Sequence, residues 1–209
     1  MIAMNGYYIN LAKREDRNHH MHNITKHPFF KNVTRFNAIE HKKGAVGCTL
    51  SHIECLKMLS QKNDDYYMIL EDDFCVLSQQ HFDNFLKDFN EIKDRDDWDL
   101  ITLTPRGDTM THNVYNRFHR ISNNQTTTGY IIKHRFISEL LPVFEASVSK
   151  LENGGDPNKW ALDSCWKPMQ LSTQFWYYND IFAGQLPGYS DIEKRQVNYN
   201  QRFAMQNRY

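Results

Sequence analysis

Apolar and polar positions change period several times along this chain, and each change marks an element. Tyr66 to Leu70 is an unbroken apolar run of strand length. It ends abruptly in Glu71-Asp72-Asp73. Gly6 to Leu11 is a shorter β-rich run, and Val33 to Ile39 predicts a second short strand. Between Cys48 and Leu59 the apolar residues Leu50, Ile53, Leu56, Met58 and Leu59 follow helical spacing. Phe82, Phe85, Leu86, Phe89 and Ile92 repeat that pattern over His81 to Ile92. Asp99 to Thr104 and Gly129 to Ile132 read as strands. Phe136 to Leu151 reads as a helix that Pro142 should kink or split. Turns are expected at Gly44 to Gly47 and at Asn153-Gly154-Gly155-Asp156-Pro157.

Strands alternating with helices predict an α/β domain with a central, mainly parallel sheet flanked by helices. Residues 1–195 are expected to form one domain. A polar stretch over 196–209 is expected to be a tail, of the kind that is commonly mobile. Ligands of such sheets bind at the carboxyl ends of strands. Glu71 to Asp73 lies at one such end.

Composition narrows the reading. The 25 basic residues balance 25 acidic ones. That disfavours nucleic acid as a partner, since its binders carry a basic excess. No apolar stretch approaches the roughly 18 residues of a membrane span. Met1 to Asn10 lacks a basic segment followed by a long apolar one, so no signal peptide is visible and a cytoplasmic or otherwise soluble protein is expected. Cys48, Cys55, Cys75 and Cys165 contain no CxxC pair, and free, largely buried thiols are expected. His19, His20, His22 and His27 fit no zinc spacing and read as a solvated stretch.

Three adjacent acids at a buried strand end are costly without a counter-charge. A divalent cation supplies one. Oxygen ligands suit Mg²⁺ or Mn²⁺, which commonly bridge carboxylates to substrate phosphates. A nucleotide diphosphate is therefore the expected ligand class. Asn10, Arg14 and Arg17 sit just after the first strand, where a loop can meet a nucleotide and an arginine can fork onto its oxygens. A solvated basic helix face is the alternative for the two arginines. Trp160, Trp166, Trp176 and Tyr177 could stack on sugar faces or belong to the core.

The order of motifs resembles glycosyltransferase family 25. The matching pieces are Ile9-Asn10-Leu11 with Arg14 and Arg17, Gly44-Ala45-Val46-Gly47-Cys48-Thr49-Leu50-Ser51-His52, and Ile69-Leu70-Glu71-Asp72-Asp73. Trp98 to Ile101, Thr128 to Ile132 and Ser190 to Ile192 add weaker matches. Members include bacterial lipooligosaccharide galactosyltransferases and collagen hydroxylysine galactosyltransferases. The resemblance implies a GT-A fold, a UDP-sugar donor, Mn²⁺ or Mg²⁺, and usually an inverting transfer of a hexose to a glycan or hydroxylysine. It implies donor contacts at Asn10, Leu11, Arg14, Arg17, Gly47, Ser51, His52, Glu71, Asp72 and Gly129. It implies Asp73 and Glu71 as metal residues; strand alternation would put Glu71 on the same face as Asp73, where it could touch ribose or metal-bound water. A late-chain histidine ligand of related enzymes has no counterpart, because His134 is the last histidine; Asp191 or water would replace it. Asp163 is the expected catalytic base, although the family's Pro-x-Asp reads Ala161-Leu162-Asp163 here. Asp156, Asp180 and Asp191 are its rivals. The competing readings are a non-catalytic sugar-nucleotide binder or scaffold and a metal-free carboxylate-pair hydrolase.

Overall fold

The structure is a computed structural model and describes residues 2–108 and 112–199. In chain order the strands and helices are β1 (Asn5–Asn10), α1 (Glu15–Ile24), β2 (Asn32–Asn37), α2 (Gly44–Ser60), β3 (Tyr66–Glu71), β4 (Phe74–Val76) and α3 (Gln79–Ile92). Five short strands follow: β5 (Leu100–Thr102), β6 (Arg106–Asp108), β7 (His112–Tyr115), β8 (Phe118–Arg120) and β9 (Asn123–Gln125). Then come β10 (Gly129–Lys133), α4 (Ile137–Glu152) and three brief helices, α5 (Pro157–Trp160), α6 (Leu162–Cys165) and α7 (Lys167–Ser172). The chain closes with β11 (Phe175–Tyr178), β12 (Ala183–Gln185), β13 (Gly188–Ser190) and β14 (Arg195–Val197).

One eight-stranded sheet dominates, in the order β2-β1-β3-β10-β5-β11-β8-β7. Strands β2, β1 and β3 are mutually parallel, as are β5 and β11. Strands β10 and β8 run against their neighbours, so the sheet is mixed but mainly parallel. Alternate side chains leave β3 on opposite faces. Met68 and Leu70 join a phenylalanine-rich core with Phe29, Phe82, Phe85, Phe89 and Trp98. Tyr67 and Ile69 join a second core with Ile53 and Leu56 of α2 and Leu140 and Phe144 of α4. Helices thus cover both faces, as the sequence predicts.

Helix α2 starts at Gly44, so the expected turn over Gly44 to Gly47 is its first helical turn. The glycine at position 47 has a steric reason: a Cβ there would stand 2.5 Å from Ile39 O, where the preceding loop crosses the helix. Pro142 does not split α4, which runs unbroken over 16 residues. Pro142 and Ser138 are both exposed, so the carbonyl that loses its donor faces water. The polar stretch after β1 forms α1, with Arg17 and Met21 buried on its inner face. The expected tail begins inside β14, which pairs with β13; residues 200–209 lie outside the described residues. All four cysteines are free thiols. Among the described residues, no helix is long and apolar enough to cross a membrane.

Candidate functional site

The carboxyl ends of β1 and β3 open into a cleft of about 670 Å³. That is within the ~300–1,000 Å³ typical of small-molecule sites. Glu71, Asp72, Asp73, Arg14, Arg17 and Asp163 all line it.

Strand β3 ends at Glu71, so regular alternation stops before Asp73. Glu71 continues the face of Tyr67 and Ile69 and meets α2. Its Oε1 accepts from Thr127 Oγ1 at 2.8 Å and lies 3.4 Å from His52 Nε2. Burial pulls the Glu71 carboxyl upward, but His52, Thr127 and Arg106 together bring it below its ordinary value. Asp72 and Asp73 occupy the following turn and face α1 instead. Asp72 Oδ2 accepts from Asn10 Nδ2 at 2.7 Å. Asp73 Oδ2 accepts from Gln185 Nε2 at 3.3 Å, while Asp73 Oδ1 is buried without a hydrogen-bond partner. Burial pushes the Asp73 carboxyl up to about 7, with Glu71 and Asp72 adding to the effect and Arg17 opposing it. Burial also raises Asp72.

Helix α1 supplies the opposing charge. Arg17 is 5% exposed, which removes it from any solvated helix face. Its Nη1 stands 3.5 Å from Asp73 and 4.0 Å from Asp72. Arg14 lies at the helix entry and takes a different partner. Its Nη1 donates to Asp191 Oδ2 at 2.9 Å and to Tyr189 O at 3.1 Å. Asp191 also sits 3.7 Å from Lys13 Nζ. Arg14 therefore ties the 189–191 segment to the cleft rim, and Asp191 is engaged by cations.

The remaining expected residues fall into two groups. Leu11, Gly47 and Ser51 line the cleft. Ser51 Oγ donates to Gly47 O at 2.7 Å and accepts from Ile39 N at 2.8 Å, so it fixes the rim loop to α2. His52 is fully buried behind Glu71, with Nδ1 3.0 Å from Tyr130 OH. Gly129 is buried too, and a Cβ there would lie 2.9 Å from the Phe74 ring. The wall beside it is made by Thr126, Thr127 and Thr128. Thr126 has φ +88°, a strained value for a β-branched residue. Trp166, Trp176 and Tyr177 are core residues; Trp160 is half-buried.

Asp163 enters from α6 and lines the cleft. Its Oδ2 lies 3.8 Å from Arg106 Nη2. Burial raises its carboxyl, Arg106 opposes this and Glu71 adds to it. Of its rivals, Asp156 caps α5 and Asp180 pairs with Arg117. Sequence reading missed Arg106 and the threonine wall. The run Thr126-Thr127-Thr128 before a strand was the available signal.

The acids fit a hard divalent cation in chemistry: one buried carboxylate oxygen on Asp73 lacks a partner, and burial resists its ionisation without added positive charge. Among the described residues, the group of three potential ligand side chains that converge within 4.8 Å is Cys48, His52 and Glu71, which includes neither Asp73 nor Asp191.

A mainly parallel sheet with acids at the strand end and a cleft above them defines a GT-A-like fold. A solved glycosyltransferase involved in glycosylation of the major capsid of the virus PBCV-1 shares it, with TM-score 0.54 and 9% identity over 99% of this chain and 100% of that one. Weaker likeness extends to a mannose-1-phosphate geranyltransferase from Thermus thermophilus, with TM-score 0.44 and 10% identity over 84% of this chain and 59% of that one. A Drosophila β-1,4-galactosyltransferase 7 mutant in complex with manganese, UDP-Gal and xylobiose gives TM-score 0.42 and 12% identity over 99% and 80%. The chain spans 59% of the geranyltransferase's length. No curated protein matches the sequence. Residues 41–152 match the model of glycosyltransferase family 25 (LPS biosynthesis protein), and the chain belongs to that family. The match holds Cys48, His52, Glu71 to Asp73 and Arg106; Asn10, Arg14, Arg17, Asp163 and Asp191 lie outside it.

Proposed function

We propose that this protein transfers a hexose, galactose or glucose, from a UDP-sugar to a hydroxyl of a glycan or hydroxylysine acceptor, with inversion. The observation that carries the reading is the placement of three strand-end carboxylates and the separate acid Asp163 on one cleft. Asp73, with Asp72 beside it in the turn after β3, would hold Mn²⁺ or Mg²⁺, while Glu71 faces His52 and Thr127. Such a cation neutralises charge on a departing diphosphate as a Lewis acid.

The chain's own residues do the rest. Arg17 balances the acid cluster from below. Asn10 holds Asp72 in place through its 2.7 Å bond. Gly47 lets the rim loop at Ile39 close against the first turn of α2. Asp163 accepts the proton of the acceptor hydroxyl as that oxygen attacks the anomeric carbon. Arg106 keeps Asp163 more ionised than burial alone would allow. Asp191 is taken up by Arg14 and Lys13, so its contribution is to hold the rim rather than to replace a histidine ligand.

Calorimetric titration of UDP with and without Mn²⁺ tests the donor site. Manganese-dependent binding that disappears in Asp73→Ala is the expected result. Equal binding in both conditions, or in that variant, would refute the metal assignment. Transfer assays across UDP-sugars then test the donor, and binding without transfer to any acceptor would favour a non-catalytic role.

A further inference from the structure

The side chains of Cys48, His52 and Glu71 bring a thiol, an imidazole and a carboxylate together. Their ligand atoms lie within 4.8 Å of one another. Cys48 and His52 are four residues apart on α2, so they share a helix face. Glu71 arrives from the end of β3 on the sheet face that packs against α2. The carboxylates of the donor site are hard oxygen ligands, whereas this set adds sulfur and nitrogen.

His52 supplies an independent pointer to a ligand. Its side chain is 0% exposed, and its Nε2 is buried without a hydrogen-bond partner, 3.4 Å from Glu71 Oε1. Its other nitrogen lies 3.0 Å from Tyr130 OH. A metal-bound imidazole is held in this manner, one nitrogen on the ion and the other on an outer partner. Thr127 Oγ1 similarly steadies Glu71. Cys48 and Glu71 both line the cleft, which gives an entry path and room for a fourth, exchangeable ligand.

We propose that Cys48, His52 and Glu71 form a binding site for a thiophilic divalent cation of the zinc class, open to the cleft at its fourth position. Sulfur, nitrogen and carboxylate donors with one open position suit zinc and its spectroscopic substitute cobalt, and disfavour Mg²⁺ and Mn²⁺. Binding forms the metal–sulfur bond and sends the thiol proton to solvent. Affinity is therefore expected to rise with pH. The site does not depend on the assignment of the donor cation to Asp73.

The test is titration of the metal-stripped full chain with Co²⁺, followed by absorption, and with Zn²⁺, followed by calorimetry. One Co²⁺ per chain with a thiolate-to-cobalt charge-transfer band is expected. Cys48→Ser should abolish that band and weaken Zn²⁺ by more than the ~10–100-fold that loss of an outer partner costs. Tyr130→Phe should weaken Zn²⁺ about 10-fold while keeping the band. Asp73→Asn should keep both the band and the affinity. No charge-transfer band in the unaltered protein overturns the proposal, whatever the variants do. A band that survives in folded Cys48→Ser assigns the cobalt to another thiol and overturns it equally.

Discussion

Arg17 Nη1 stands 3.5 Å from Asp73 Oδ2, with the Arg17 side chain 6% and the Asp73 side chain 20% exposed. One buried guanidinium thus faces the end of a strand that carries three acids. Removing it leaves carboxylates buried without a counter-charge. Breaking a buried ion pair costs about 3–5 kcal/mol, and the long separation here places the effect near 3 kcal/mol. Arg17→Met should lower unfolding free energy by that amount in urea titrations of metal-free protein at neutral pH. Divalent cation should restore part of it. A variant as stable as the parent would mean that water already screens the pair.

Asp73 predicts how metal-free stability varies with pH. Its carboxyl is raised from 3.8 to about 7 in the folded chain. Between those values the folded state keeps a proton that the unfolded state has lost. Stability from this group is thus full below about pH 4, falls as pH rises, and is gone above about pH 7. Asp73→Asn cannot ionise and escapes the loss. At about 1.4 kcal/mol per pK unit, the variant should be more stable than the parent by on the order of 4 kcal/mol at pH 8, with little difference at pH 4. Parallel urea profiles at the two pH values would contradict this.

Much of this site was legible because its chemistry sits on strong periodic signals. The apolar run Tyr66 to Leu70 announces a buried strand, and the acids after it can only emerge at its end. The spacing after Cys48 likewise gives α2. Helix α1 was obscured because only Arg17 and Met21 turn inward, and a buried arginine carries the same letter as a solvated one. The placement of Asp73 opposite Arg17, rather than beside Glu71, follows from the strand ending at Glu71, a boundary that alternation cannot reveal. Arg106 comes from a strand of three residues, too short to show a period, and the threonine wall from the connection between β9 and β10, which has none.

Gly47 makes a prediction opposite in sign to helix propensity. Alanine is favoured over glycine inside helices by about 1 kcal/mol. A Cβ at this position would stand 2.5 Å from Ile39 O, a backbone atom. The loop cannot retreat freely, because Ile39 N donates to Ser51 Oγ on the same helix. Gly47→Ala should therefore cost about 1–3 kcal/mol, as overpacking does, and should weaken UDP binding through the displaced rim. Thermal unfolding and UDP calorimetry on one preparation decide it. A stabilised variant would show that the rim yields.

Asp163 separates chemistry from binding. It reaches the cleft from α6, whereas the acids proposed to hold the donor come from the end of β3. Asp163→Asn keeps size and polarity but cannot accept a proton. Manganese-dependent UDP affinity should stay within about twofold, while turnover falls by the ~10²–10⁴-fold that a general base contributes. Burial raises this carboxyl and Arg106 opposes the rise. The acid limb of the pH–rate profile should therefore lie above the range of an ordinary aspartate. Arg106→Gln removes the opposing charge and should move that limb further upward. Turnover that survives in Asp163→Asn would place the base elsewhere; a lost limb in Asp163→Asn with a shifted one in Arg106→Gln would tie proton transfer to this pair.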